Sequence, residues 1–188
     1  MPVDRQMFFE IMASFPSGVA IVTTVDERGV PRGLTTTAVA SVSADPPLLL
    51  VCVDLASRTL TALRGRRRFV VNFMREGRSD LCLRFASKEE DKFAGVAWRP
   101  SADGLPLLHE DALAWAECDV EQELEVGDHV IFLGRVFDGR GPADEELPLM
   151  YYRRSWGVWT PAHGAEAEEP MPAIEVSGRD LRWQGAEI

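Results

Sequence analysis

The residues able to do chemistry are hydroxyls, a few cations and scattered imidazoles, not a recognisable nucleophile–base pair. The densest group is the stretch 33–47, in which Thr35, Thr36 and Thr37 follow Gly33 and Leu34, and Ser41, Ser43 and Asp45 precede Pro46 and Pro47. It is too rich in hydroxyls for a core strand and too rich in β-branched residues for a loose loop. The two prolines cannot donate to a central ladder. The pattern predicts a strand, a hydroxyl-lined bend and a second strand starting at Leu48. Such a segment offers hydroxyls and backbone N–H groups to a polar ligand. Ser57-Arg58-Thr59 stands at the start of a short helical pattern, where free N–H groups and the helix dipole favour a phosphate. The same triplet also serves as ordinary capping. Arg64, Arg66, Arg67 and Arg68 form a basic cluster, either a solvated turn or a place where guanidinium groups grip phosphate bidentately. Lys92-Phe93 follows an acidic run. Gly127-Asp128-His129 reads as a turn that delivers an imidazole to the start of a strand.

Other chemistries lack their residues. His109, His129 and His163 stand far apart, with no HxH, HExxH or CxxC spacing, so no metal site is expected. There is no GxSxG elbow, Walker A loop or GxGxxG turn. Cys52, Cys82 and Cys118 are odd in number and widely spaced, which predicts reduced thiols and a cytoplasmic location. A net charge of −10 over 188 residues opposes nonspecific nucleic-acid binding and an anionic membrane surface. The longest apolar run, 48–53, is too short to span a bilayer. The polar start, Met1 to Arg5, has no apolar core of a signal peptide.

The elements that must position these groups follow from the hydrophobic pattern. Asp4 caps an expected helix to about Ser14, with Met7, Phe8, Ile11, Met12 and Phe15 on one stripe, and Pro16 ends it. Strands are expected over 19–25, 48–53, 68–73, 112–124 and 129–137, with a hairpin turn at 26–29 and a last short strand at 148–152. Short helices are expected from Thr59 to about Arg64 and over 79–87. No alternating strand–helix pattern appears, so a Rossmann sheet is not expected. A mainly β fold, a closed antiparallel barrel with short peripheral helices, fits best. Residues 1–162 read as one domain. Residues 163–188 read as an acidic, proline-punctuated linker and tail with a short strand at Ile174-Glu175-Val176.

Taken in order, these pieces resemble the flavin reductase family with an FMN-binding split-barrel fold of Greek-key type, the reductase halves of two-component flavin monooxygenases. The matching residues are Phe15-Pro16-Ser17-Gly18 with 19–24, the stretch 33–47, Ser57-Arg58-Thr59, and Phe69-Val70-Val71-Asn72. Further on they are Phe85-Ala86-Ser87, Asp91-Lys92-Phe93, 104–108, Gly127-Asp128-His129 and 148–152. The match covers residues 5 to 155. The resemblance implies a homodimer that binds FMN or FAD, oxidises NADH or NADPH, and passes reduced flavin to a partner monooxygenase. It implies that Thr35, Thr36, Thr37 and Ala38 line the flavin ring, with Ser43 and Asp45 in the same wall. Ser57 and Thr59 then hold the phosphate, and Phe85, Ala86, Ser87 and Lys92 border the ribityl-phosphate. His129 faces the nicotinamide, and Tyr152 closes that end. One departure falls where the ring should sit: the family's Met-Thr, small residue and serines are here Leu34-Thr35-Thr36-Thr37-Ala38. Two other readings remain, a flavin oxidase acting directly on an organic substrate and a flavin-binding protein without turnover.

Overall fold

The computed structural model describes residues 1–142 and 146–160. Helix α1 (Arg5–Ala13) opens it, and the Asp4 carboxylate accepts the Met7 N–H at 2.8 Å as its N-cap. Then come β1 (Ser17–Gly18), β2 (Ala20–Val25), β3 (Pro31–Thr36), β4 (Val39–Ala44), β5 (Pro47–Asp54), α2 (Thr59–Arg66), β6 (Arg68–Met74) and α3 (Ser79–Ala86). Short β7 (Arg99–Pro100) and β8 (Pro106–Leu107) precede the long hairpin of β9 (Ala112–Val126) and β10 (His129–Arg140). Strands β11 (Leu149–Tyr152) and β12 (Ser155–Val158) end the described chain. The linker, the strand expected at 174–176 and the domain boundary near 162 lie outside the described residues.

Seven strands form one antiparallel sheet in the order β3-β2-β6-β9-β10-β5-β4. Its two ends meet again where β3 gives way to β4. There the Cys52 N–H donates to the Ala38 carbonyl at 3.1 Å, and the Thr36 hydroxyl leans on the Cys52 carbonyl at 3.5 Å. The barrel is therefore closed at this seam by isolated bonds from a bend, not by a ladder. Val22, Val51, Phe69, Val71, Val130 and Phe132 fill the interior. Gly134 is required by the packing, since a Cβ there would stand 2.6 Å from the Phe69 ring.

The loop over 101–108 covers the outer face of β2, β6 and β9. Buried polar groups sew it down: Thr23 donates to the Pro106 carbonyl at 2.6 Å, and Asn72 Oδ1 accepts the Leu108 N–H at 2.9 Å. Glu117 is buried beneath this loop, with Oε1 accepting from Ser101 at 2.8 Å and Oε2 without a partner among the described residues. Burial pushes its carboxyl upward from the usual range.

Three expectations change. The stretch 33–47 contains two bends, because Val39–Ala44 pairs with β5 through a register shift between Ser41 and Ser43. Pro47 is tolerated as the first residue of β5. A further strand, β12, folds back on β11. The stripe of α1 covers nothing among the described residues: Phe8, Ile11 and Phe15 are 51%, 54% and 67% exposed. Among the described residues no helix is long and apolar enough to cross a membrane.

Candidate functional site

The seam bend is an exposed part of the hydroxyl-rich stretch. Thr37 and Ala38 are exposed, whereas Thr35 and Thr36 are half-buried. The Thr35 hydroxyl donates to the Cys82 carbonyl of α3 at 2.7 Å. The Thr36 hydroxyl accepts the Ala38 N–H at 3.0 Å and so shapes the bend. The Thr37 hydroxyl has no partner among the described residues. Strand β3 is an edge of the sheet, so one side of its backbone faces no strand.

Below the bend, Gly33 is a junction. Its carbonyl accepts the Thr59 hydroxyl at 2.9 Å and the Lys92 ammonium at 3.3 Å. Lys92 also donates to the Phe85 carbonyl at 2.7 Å. Phe85 is fully buried beneath Gly33 and meets Phe93 edge-on, ring centroids 4.9 Å apart. Phe85 is therefore a scaffold residue whose ring no ligand reaches. Thr59 is likewise buried, its hydroxyl spent on Gly33. Ala86 is exposed at the end of α3, and the Ser87 hydroxyl donates to the Arg84 carbonyl at 2.8 Å.

The start of α2 faces the same cleft. Ser57 Oγ accepts the Thr59 N–H at 3.3 Å, and no side chain caps the helix from position 58. Arg58 donates to the Lys88 carbonyl. Arg58 and Lys92 line one small cleft with Arg32, Gly33, Thr59, Glu89 and Glu90, and neither Arg58 nor Lys92 forms an ion pair among the described residues. Burial draws the Lys92 ammonium below its ordinary value, and the Arg58 charge adds to this. Two unpaired cations beside a helix start suit a phosphate. The arginines at 64–68 do not: Arg64 and Arg67 pair with Glu123, and Arg68 pairs with Asp103 and Asp119. Arg66 donates to the Asp103 carbonyl at 2.9 Å.

His129 stands at this end of the barrel, opposite Asp54 in the ladder. The Leu55 N–H donates to the Asp128 carbonyl at 3.0 Å, which ties the loop before Ser57 to the His129 turn. His129 Nδ1 lies 2.7 Å from the Asp128 carboxylate, and this bond holds that carboxyl below its usual range. The imidazole is half exposed, with its orientation fixed by its neighbour.

The structure thus ties Lys92 and Thr59 to the Gly33 carbonyl three residues before the bend at Thr36, Thr37 and Ala38, sets Ser57 at the start of α2, and links the His129 turn to the loop before Ser57 through the Leu55–Asp128 bond. Ser43 and Asp45 are not brought there within one chain. Five residues of extended strand separate Ala38 from Ser43, roughly 16 Å at the usual rise. Tyr152 also stands apart: Arg153 bonds the Ala13 carbonyl at the far end of α1, while Arg5 at the near end acts on Asp128. Arg58 was legible only as the centre of its triplet, and its place on the cleft comes from the fold. Among the described residues no cluster of metal-ligating side chains occurs.

Known proteins carry the same arrangement of sequence. The flavin reductase like domain matches residues 12–160. A flavin reductase (NADH) of Kitasatospora aureofaciens is 46% identical over 158 residues, 84% of this chain and 83% of that protein. A flavin reductase (NADPH) of Lentzea aerocolonigenes is 44% identical over 152 residues, 80% of this chain and 88% of that protein. The crystal structure of nitrilotriacetate monooxygenase component B from Mycobacterium thermoresistibile superposes with a TM-score of 0.79 at 36% identity, covering 89% of this chain and 96% of that one. Its fold and the barrel described above correspond over nearly their whole length, and the chain belongs to the flavin reductase like family.

Proposed function

We propose that this protein is an NAD(P)H:flavin oxidoreductase that moves hydride from nicotinamide to FMN or FAD and supplies reduced flavin to a partner monooxygenase. The observation that carries this reading is the cleft beside edge strand β3, where Arg58 and Lys92, neither in an ion pair among the described residues, stand at the start of α2. The relatives named for NADH and NADPH oxidation, and the monooxygenase component, support the donor and the partner.

A bound flavin supplies the hydride acceptor, and the protein's task is to hold and align. Arg58 and Lys92 bind the phosphate, with Ser57 at the helix start. The 36–38 bend would form the wall beside the ring, with its backbone N–H groups available to the ring's polar edge. His129, oriented by Asp128, positions the nicotinamide. Alignment of this kind can contribute up to roughly 7–11 kcal/mol. One preorganised donor to developing negative charge contributes roughly 3 kcal/mol.

Anaerobic stopped-flow mixing of protein, flavin and NADH or NADPH tests the reading at the flavin absorbance. Rapid bleaching supports it, and a spectrum unchanged by either donor sinks it. His129→Ala is expected to raise the KM for the nicotinamide more than it lowers kcat. Arg58→Ala tests the phosphate assignment more cleanly than Thr59→Ala, which would also loosen Gly33.

The uncovered stripe of α1, the exposed Leu124 and Val126 at the β9–β10 tip and the free edge of β4 support a homodimer. Ser43, Asp45 and Tyr152 then belong to the part of the site that a second copy completes. Three free thiols fit a cytoplasmic setting.

A further inference from the structure

A cavity of about 440 Å³ lies beyond Arg58, outside the cleft assigned to the flavin phosphate. Its size is that of a small-molecule site. It shares Arg32 and Arg58 with the Lys92 cleft, so the two spaces adjoin. Asp26 and Arg32 neutralise each other at 2.8 Å. The charges left over are Glu27, Arg28 and Arg58, none of which forms an ion pair among the described residues. Val30 and Ala62 add an apolar wall, and the Thr61 hydroxyl is free of partners among the described residues. The turn that carries Glu27 and Arg28 is preorganised, because Asp26 Oδ1 accepts the N–H groups of Arg28 at 3.0 Å and Val30 at 2.9 Å.

These groups match the three parts of a nucleotide. A guanidinium takes a phosphate oxygen pair. A carboxylate accepts ribose hydroxyls. An apolar wall receives the base. We propose that this cavity binds the adenosine phosphate half of a dinucleotide, continuous at Arg58 with the flavin phosphate cleft, and so makes FAD the preferred flavin over FMN. This rests on the flavin reading of the adjoining cleft. Glu27 repels a ribose that carries its own phosphate, so the adenosine half is one with a free 2′-hydroxyl.

The same adenosine phosphate occurs in FAD and in NADH, and titrations separate the two. The full chain, Arg28→Ala and Glu27→Gln are each titrated with FMN, FAD and 5′-AMP. Both substitutions lie on an exposed turn. The wild-type chain is expected to bind FAD at least about tenfold tighter than FMN, and Arg28→Ala is expected to erase most of that ratio, the effect of one charge-assisted hydrogen bond. An FAD preference that survives Arg28→Ala overturns the proposal, and equal binding of the two flavins with both variants raising the KM for NADH about tenfold overturns the FAD preference while supporting the adenosine site, filled by the nicotinamide donor. Equal flavin affinities with an unchanged KM for NADH overturn the proposal. If neither flavin binds the wild-type chain, the flavin reading itself fails. Saturable 5′-AMP binding weakened by Arg28→Ala would then still support the cavity, and no such binding would overturn both.

Discussion

Gly33→Ala probes the junction beneath the site. The added Cβ would stand 2.7 Å from Phe85 Cε1, 2.8 Å from its Cδ1 and 3.2 Å from the Val22 carbonyl oxygen. Carbon atoms rest at roughly 3.5–4.0 Å, so the ring or the strand must move by about 1 Å. The ring has little room, being fully buried and held edge-on by Phe93. Overpacking of this kind costs about 1–3 kcal/mol. If β3 yields instead, the bonds from Thr59 and Lys92 to the Gly33 carbonyl lengthen, at a cost of about 1–2 kcal/mol. The expected loss is about 1–3 kcal/mol in urea unfolding, accompanied by weaker flavin binding. Phe85→Leu on the same background makes room for the methyl, so the double variant should be more stable than the sum of the singles by about 1 kcal/mol or more. A Gly33→Ala protein within about 0.5 kcal/mol of wild type, or strict additivity with Phe85→Leu, refutes the reasoning.

Lys92→Met should weaken flavin binding roughly tenfold to a hundredfold at neutral pH, the worth of one charged hydrogen bond. Because the Lys92 ammonium sits below its ordinary value, wild-type flavin affinity should fall as pH rises toward that lowered value, and Lys92→Met should flatten the profile. Glu117 works through stability instead. Its folded carboxyl holds the proton more tightly than the unfolded one, so its contribution is full at low pH and is lost as pH rises through the raised value. Glu117→Gln should therefore gain in urea midpoint relative to wild type between pH 5 and pH 8, and parallel pH profiles would contradict the assignment. Phe8→Glu with Met12→Glu places charge on the uncovered stripe of α1 and should yield monomers by sedimentation. A wild-type chain that already sediments as a monomer removes the dimer.

The sequence made the backbone plan legible because its signals are local. Asp4 caps α1 through its own carboxylate, and the alternation and turn residues locate β2, β5, β6, β9 and β10 within a few residues. The β4 edge was harder. Its exposure on both faces leaves no hydrophobic period, and its partner is a strand reached only through the Asp45-Pro46-Pro47 turn. The helical stripe of α1 was read correctly as a pattern, but a pattern does not say which chain covers it. For the site, Lys92 lines the cleft and Ser57 stands beside it at the start of α2, positions that the fold alone supplies. The phosphate reading of the arginines at 64–68 lost its ground to Glu123, Asp103 and Asp119, partners 35 or more residues away that no local spacing reveals.

The hydroxyls show most clearly how motif and role part company. A threonine-rich stretch suggests side chains turned toward a ligand. Here Thr35 is spent on the carbonyl of Cys82, Thr36 on the N–H of Ala38, and Thr59 on the carbonyl of Gly33. Each of these bonds fixes backbone: the first ties β3 to α3, the second sets the bend, and the third ties β3 to α2. What they leave facing outward is an edge strand with its polar groups and the short exposed pair Thr37-Ala38. An edge held so firmly from behind can present N–H groups at fixed positions with little loss of entropy on binding. Under the proposed reading, a flavin wall made by Leu34-Thr35-Thr36-Thr37-Ala38 would rest on these backbone positions rather than on the family's usual side chains. The geometry depends on which hydroxyls tie the strand down, and residue identity at the exposed positions matters less than the backbone they carry.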